Sequence, residues 1–147
     1  MALPTTEAFD EMVLEHSSDG GTTYTKLCGM TDVTVTRSST IDTTELQDCD
    51  DESLPLSISK AVRSVEVSVS GTGVWAQESH ETLSDWFYLS TLDYVRVGHT
   101  KAASGDTEYE YGPAVLASLN NSRTKGKVVE AEIEIQFSGT PTRTVKA

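Results

Sequence analysis

The segment Gly71-Thr72-Gly73-Val74-Trp75-Ala76 has the glycine spacing that cradles a dinucleotide pyrophosphate, and Asp93 stands about 20 residues further on, where a ribose-binding acid would sit. The strand leading into it argues against that chemistry. A dinucleotide-binding strand is buried on both faces and continuously apolar, whereas Arg63 to Ser70 alternates, and no second βαβ half follows. A strand ending in glycines is the better account. The acids at 48 to 52 suggest a hard cation, but a calcium loop started there needs Gly at its sixth position and Glu at its twelfth, and Ser53 and Ser59 occupy them. His16, His80 and His99 form no zinc spacing with Cys28 and Cys49, and no Gly-x-Ser-x-Gly elbow accompanies the serines. Three histidines scattered over a β framework are expected at the surface. Asn120-Asn121-Ser122 matches a glycosylation acceptor, which has meaning only in an exported chain. Neither an enzyme nor a cofactor or metal site is expected.

Charge narrows the partners. Twenty-three acids against 11 bases give a net charge of -12, which repels a phosphate backbone, and Tyr109, Tyr111, Trp75 and Trp86 are not interleaved with bases as in a single-strand stacking platform. No stretch has the roughly 20 apolar residues of a membrane helix, and Met1 to Glu7 lacks the blocks of a signal peptide. Cys28 and Cys49 are therefore expected as reduced thiols serving as packing residues. The 147 residues suit one domain, long enough to bury roughly 70% of its unfolded surface without a staple.

The elements that must position these residues are mostly strands. Ser18-Asp19-Gly20-Gly21 predicts a turn, making residues 9 to 27 a hairpin. Asp32 to Arg37 alternates with period two, and so does Arg63 to Ser70, with Val65, Val67 and Val69 on one face and Ser64, Glu66 and Ser68 on the other. Between them, residues 38–57 lose periodicity and carry Asp42, Glu45, Asp48, Asp50, Asp51 and Glu52 with no base among them, which predicts a long acidic loop with a partner to touch. Residues 77–90 predict the one helix, with Leu83, Trp86, Phe87 and Ser90 on a face opposite Glu78, Glu81 and Asp85. Three strands follow, at 93–99, 108–119 and 127–138, separated by turns at 103–106 and 120–126. In the last, Ala131, Ile133, Ile135 and Phe137 form an apolar face against Glu130, Glu132, Glu134 and Gln136. Residues 1–8 and 139–147 are polar and weakly patterned, and are expected as arms ordered by neighbours.

Taken in order, these segments resemble the tail tube proteins of long, non-contractile-tailed phages. The resemblance is carried by Asp19-Gly20-Gly21-Thr22-Thr23-Tyr24, then Cys28-Gly29-Met30-Thr31-Asp32-Val33, Ser39-Thr40-Ile41-Asp42-Thr43-Thr44 entering the long loop, Ser68-Val69-Ser70-Gly71-Thr72-Gly73 before the helix, and the strand Glu134 to Gly139. It implies an all-β fold with one short α-helix, a β-sandwich or barrel-like subunit over residues 1–147 with a long loop extension and extended termini. It implies hexameric rings stacked head to tail into a hollow tail tube that conducts DNA without binding it specifically. A tape-measure protein, a tail terminator and a distal tail protein would be the other partners, with assembly in the bacterial host cytoplasm and residence in the virion tail.

Under that resemblance several charges acquire expected roles. Asp42, Glu45, Asp48, Asp50, Asp51 and Glu52 would contact a neighbour, with Arg123, Lys125, Lys127, Arg143 and Lys146 as basic counterparts. Glu130, Glu132 and Glu134 are the first candidates for a lumen face, because a wall of carboxylates and hydroxyls offers no phosphate a cation to stop on. Ser64, Glu66 and Ser68 are the second. The alternative from another class is an immunoglobulin-like binding or decoration module of a phage particle, which predicts a monomer.

Overall fold

The computed structural model describes residues 2–147; Met1, the first residue of the expected arm 1–8, lies outside them. The alternating runs become the strands β1 (Met12–Ser17), β2 (Thr25–Lys26), β3 (Met30–Leu46), β4 (Ser57–Val74), β5 (Asp93–His99), β6 (Thr107–Ser122), β7 (Glu130–Phe137) and β8 (Thr142–Val145), and one helix, α1 (Gln77–Leu89). The architecture is all-β with a short helix, as expected. One antiparallel sheet holds every strand, in the order β2-β1-β5-β6-β7-β4-β3, with β8 pairing β6. The sheet curls, the barrel-like form of the expectation, until Arg37 of β3 meets Glu110 of β6.

Period-two alternation puts Val69, Val95, Val97, Ile133, Ile135 and Leu14 on one face, where α1 covers them with Leu83 and Trp86. Ser79, Leu83 and Trp86, at i, i+4 and i+7, are the buried stripe of the helix. Phe87 and Ser90, expected on that stripe, are not on it. Phe87 is part-exposed, and Ser90 ends the helix in the left-handed conformation, φ 53°, with its N–H donating to the Phe87 carbonyl. Trp86 is anchored by an indole N–H donated to the Thr91 carbonyl at 3.1 Å.

Four other expectations are corrected. The loop 38–57 is strand up to Leu46 and from Ser57 onward, because β3 and β4 pair with each other along their whole length. The alternation was hidden there by small polar Thr and Ser residues and by a register shift between Thr40 and Ile41. Only residues 47–56 remain as loop. The 139–147 segment is not a free arm: Gly139, at φ +85°, turns the chain so that β-branched Thr142, Thr144 and Val145 continue beside β6, beyond the end of β7. Cys28 and Cys49 are unpaired and exposed, so they do not serve as packing residues. His16 is buried, not superficial. It bonds Asp93 at 2.7 Å and lies 4.9 Å from the Trp86 ring, a pairing of β1 with the start of β5 that a lone histidine in sequence cannot announce.

Candidate functional site

Strand alternation builds two surfaces: a polar sheet face on the side away from α1, and an arm. On the face, register aligns hydroxyls and amides beside every glutamate. Ser70 and Ser118 flank Glu134, Thr72 and Asn120 flank Glu132, Val74 and Ser122 flank Glu130, and Ser68 lies opposite Gln136. The two candidate lumen sets are thus one surface, since Ser64 and Glu66 continue the Ser68 row along β4. Among the described residues no salt bridge engages Glu130, Glu132 or Glu134; Glu134 accepts a long hydrogen bond from Gln136 at 3.4 Å. A shallow groove of about 620 Å³ crosses this face between Asp32, Thr72, Asn120 and Glu132.

The same face has a second half that the sequence reading missed. Arg96 lies between the Tyr24 and Tyr109 rings, 4.1 and 4.2 Å from their centroids, and donates to Glu15 at 2.8 Å. Burial pushes the Tyr24 phenol upward, while the Arg96 charge opposes that shift. The Arg96 Nε is buried without a partner among the described residues. The only sequence signal was the alternation of Asp93 to His99; the partner Glu15 lies on β1, paired with β5 across the middle of the chain.

The arm follows from pairing length. β4 pairs with β7 only from Ser68 onward, yet with β3 from Ser57, so residues 38–46 and 57–67 project as a two-stranded ribbon. At ~3.3 Å per residue its strands extend about 30 Å. The six candidate acids divide on it. Asp42 and Glu45 stand on β3, while Asp48, Asp50, Asp51 and Glu52 form the tip. The tip is organised by its own acids. Asp48 accepts the backbone N–H groups of Asp50 and Asp51 at 2.8 and 2.9 Å, and Asp51 accepts the Ser53 N–H and hydroxyl at 3.0 and 2.5 Å. The Asp51 N–H and then the Asp50 N–H hold the Asp48 carboxyl below its usual range, and the Ser53 hydroxyl does so for Asp51.

The candidate bases separate into two places. Arg123, Lys125 and Lys127 lie in the turn between β6 and β7, at the end of the sheet where Val74 pairs Glu130. Arg143 and Lys146 lie at or beside β8, with Arg143 opposite Glu110, level with the root of the arm. β4 runs from the arm tip to the basic-turn end, about 60 Å at ~3.3 Å per residue. Acidic tip and basic turn are therefore at opposite poles.

Similar folds occur in assembled particles. The tail of an empty gene transfer agent particle, determined with C6 symmetry, aligns at TM-score 0.74 with 12% identity, covering 95% of this chain and 100% of that one. The SPP1 tail tube aligns at 0.67 with 13% identity, over 96% and 81%. A sheath-tube complex of the contractile injection system PVC aligns at 0.62 with 12% identity, over 95% and 92%. No curated protein matches the chain in sequence. The family model for the phage tail tube protein does match, over residues 6–143, and the chain therefore belongs to the phage tail tube protein family.

Proposed function

We propose that the chain forms rings, hexameric as in the C6 tail it resembles, which stack head to tail into a tube whose wall faces DNA with the Glu130–Glu132–Glu134 side of the sheet. The observation that carries the stacking is polar separation of charge. An acidic tip at one end of β4 and the basic turn of Arg123, Lys125 and Lys127 at the other are unlike surfaces, suited to meet between successive copies. Support for the lumen face is its chemistry. Among the described residues no salt bridge engages its carboxylates, and Asp32, Glu130 and Glu132 outnumber Lys127, the base that lines the same groove at its turn end, so a passing phosphate backbone meets net negative charge. Arg96 does not break this pattern, because Glu15 and two tyrosine rings occupy it. Docking to a tape-measure protein, a tail terminator and a distal tail protein, assembly in the host cytoplasm and final residence in the virion tail complete the reading.

Electron microscopy of concentrated protein tests it. Rings or tubes of uniform bore are expected, and Lys125→Glu with Lys127→Glu should stop rings from stacking while leaving the subunit folded. A chain that stays monomeric at high concentration across a range of salt would replace the tube by a binding or decoration module. Stacking indifferent to the double reversal would remove the tip-to-turn contact alone.

A further inference from the structure

The face of β4 that α1 covers does not end where the body ends. Val67 and Val69 are buried, but the same face continues onto the arm with Val65, Val62, Ile41 and Ile58, which are 44%, 60%, 46% and 61% exposed. The opposite side of the ribbon is mostly polar, with Ser64, Glu66, Asp42, Thr44 and Ser59, and Leu46 only near the tip. The arm is thus amphipathic, and its apolar side has lost its cover. A two-stranded ribbon needs a packed face to be stable, so the arm requires an occupant.

The chain has a second bare apolar patch, at the C-terminal end of α1. Tyr88 and Leu89 are 81% and 69% exposed, Phe87 packs edge-on to Tyr88 at 5.4 Å, and Leu92 is also exposed. The charges around the two patches are opposite. Lys60 and Arg63 accompany the arm stripe, while Glu81 and Asp85, two turns and one turn before Leu89, lie on the exposed side of α1. In a chain with 11 bases against 23 acids, two bases beside an apolar stripe select an acidic, apolar seat, and α1 is one.

We infer that the apolar side of the arm docks on the Phe87–Tyr88–Leu89 end of α1 in a neighbouring copy, with Lys60 and Arg63 against Glu81 and Asp85. This rests on the tube reading and names a contact within it. The arm is then held by its stripe, and its acidic tip is presented onward to the next ring. The seat is a second copy, not DNA, because Lys60 sits between Ile58 and Val62 and that face also carries Thr43 and the acid Glu45, whereas phosphate contacts need repeated bases.

The test uses the full chain with Cys28→Ser and Cys49→Ser, so that the only thiols are those introduced. Val62→Cys with Tyr88→Cys, oxidised after tubes have grown, should give a ladder of covalent oligomers, whereas either cysteine alone should give at most dimers. Lys60→Glu should raise the concentration needed for tube growth at least about tenfold, and Asp85→Lys added to it should restore growth. Circular dichroism of the monomers checks that each variant folds. Tubes without a 62–88 cross-link, or growth indifferent to Lys60→Glu, would overturn this docking and leave the tube standing. Cross-linking of Val62→Cys to Met12→Cys in place of Tyr88→Cys would give the seat to the apolar groove beside β1 and overturn it equally. If the unsubstituted chain grows no tubes, the tube reading itself fails and takes this contact with it.

Discussion

Gly73 has no room for a side chain. A Cβ there would overlap the Gly29 carbonyl oxygen, which also accepts the Val74 N–H at 2.9 Å. Gly29 itself sits at φ +87°. The glycines that mimic a nucleotide motif are there for close backbone approach, and Gly73→Ala should cost about 1–3 kcal/mol or more, measurable by urea unfolding. At the first turn, Asp19 accepts the Ser17 hydroxyl at 2.5 Å and the Thr22 and Thr23 N–H groups at 3.1 and 2.9 Å, and these donors hold its carboxyl at about 2. Because the folded value lies below the ordinary 3.8, the ionised carboxylate supports the turn at every pH above that value. The support is lost as pH falls through about 2. An NMR titration of the Asp19 carboxyl should show this midpoint, and Ser17→Ala, which removes the largest contribution, should move it upward. The turn was legible from Ser18-Asp19-Gly20-Gly21; the burial of His16 against Asp93 and Trp86 was not, because its partners come from distant parts of the chain.

Among the elements, those with one buried face declared themselves. Val67-x-Val69 and Ala131-x-Ile133-x-Ile135 alternate because one side faces the buried core and the other the polar face. The arm strand 38–46 did not, since it has no body to pack on, so no large apolar residue marks every second position. β8 was hidden for a different reason: four residues are too few to show a period. If the arm serves assembly and not folding, it can be removed. Replacing residues 40–64 by Asn-Gly joins Ser39 and Val65, opposite in register, through a two-residue turn. The shortened subunit should melt within about 5 °C of the original, because the excised side chains are exposed, and it should form no tubes. A large loss of melting temperature would show that the arm stabilises its own subunit.

At the scale of the whole molecule, charge decides what the surfaces do. Glu132→Lys with Glu134→Lys would place two cations in the middle of the polar face, where Thr72, Asn120, Ser70 and Ser118 would surround them. Particles carrying both should assemble but deliver DNA poorly, and the defect should lessen as salt rises; unimpaired delivery at low salt would mean that another face lines the bore. The net charge of -12 was legible in the sequence, but not how the acids are shared between this face and the arm, which depends on register. The arm also bears on the order of events during synthesis. β3 and β4 are neighbours in the chain and can pair once Val74 has emerged, whereas β1 waits for β5, since Met12 pairs with His99. The ribbon with Ile41, Ile58 and Val62 bare therefore exists before the rest of the sheet can form, and an unpaired apolar ribbon is the part of a nascent chain most prone to aggregate. Yield of this protein should therefore depend on how quickly ribosomes carry each chain past that interval, as well as on how firmly the finished subunit holds together.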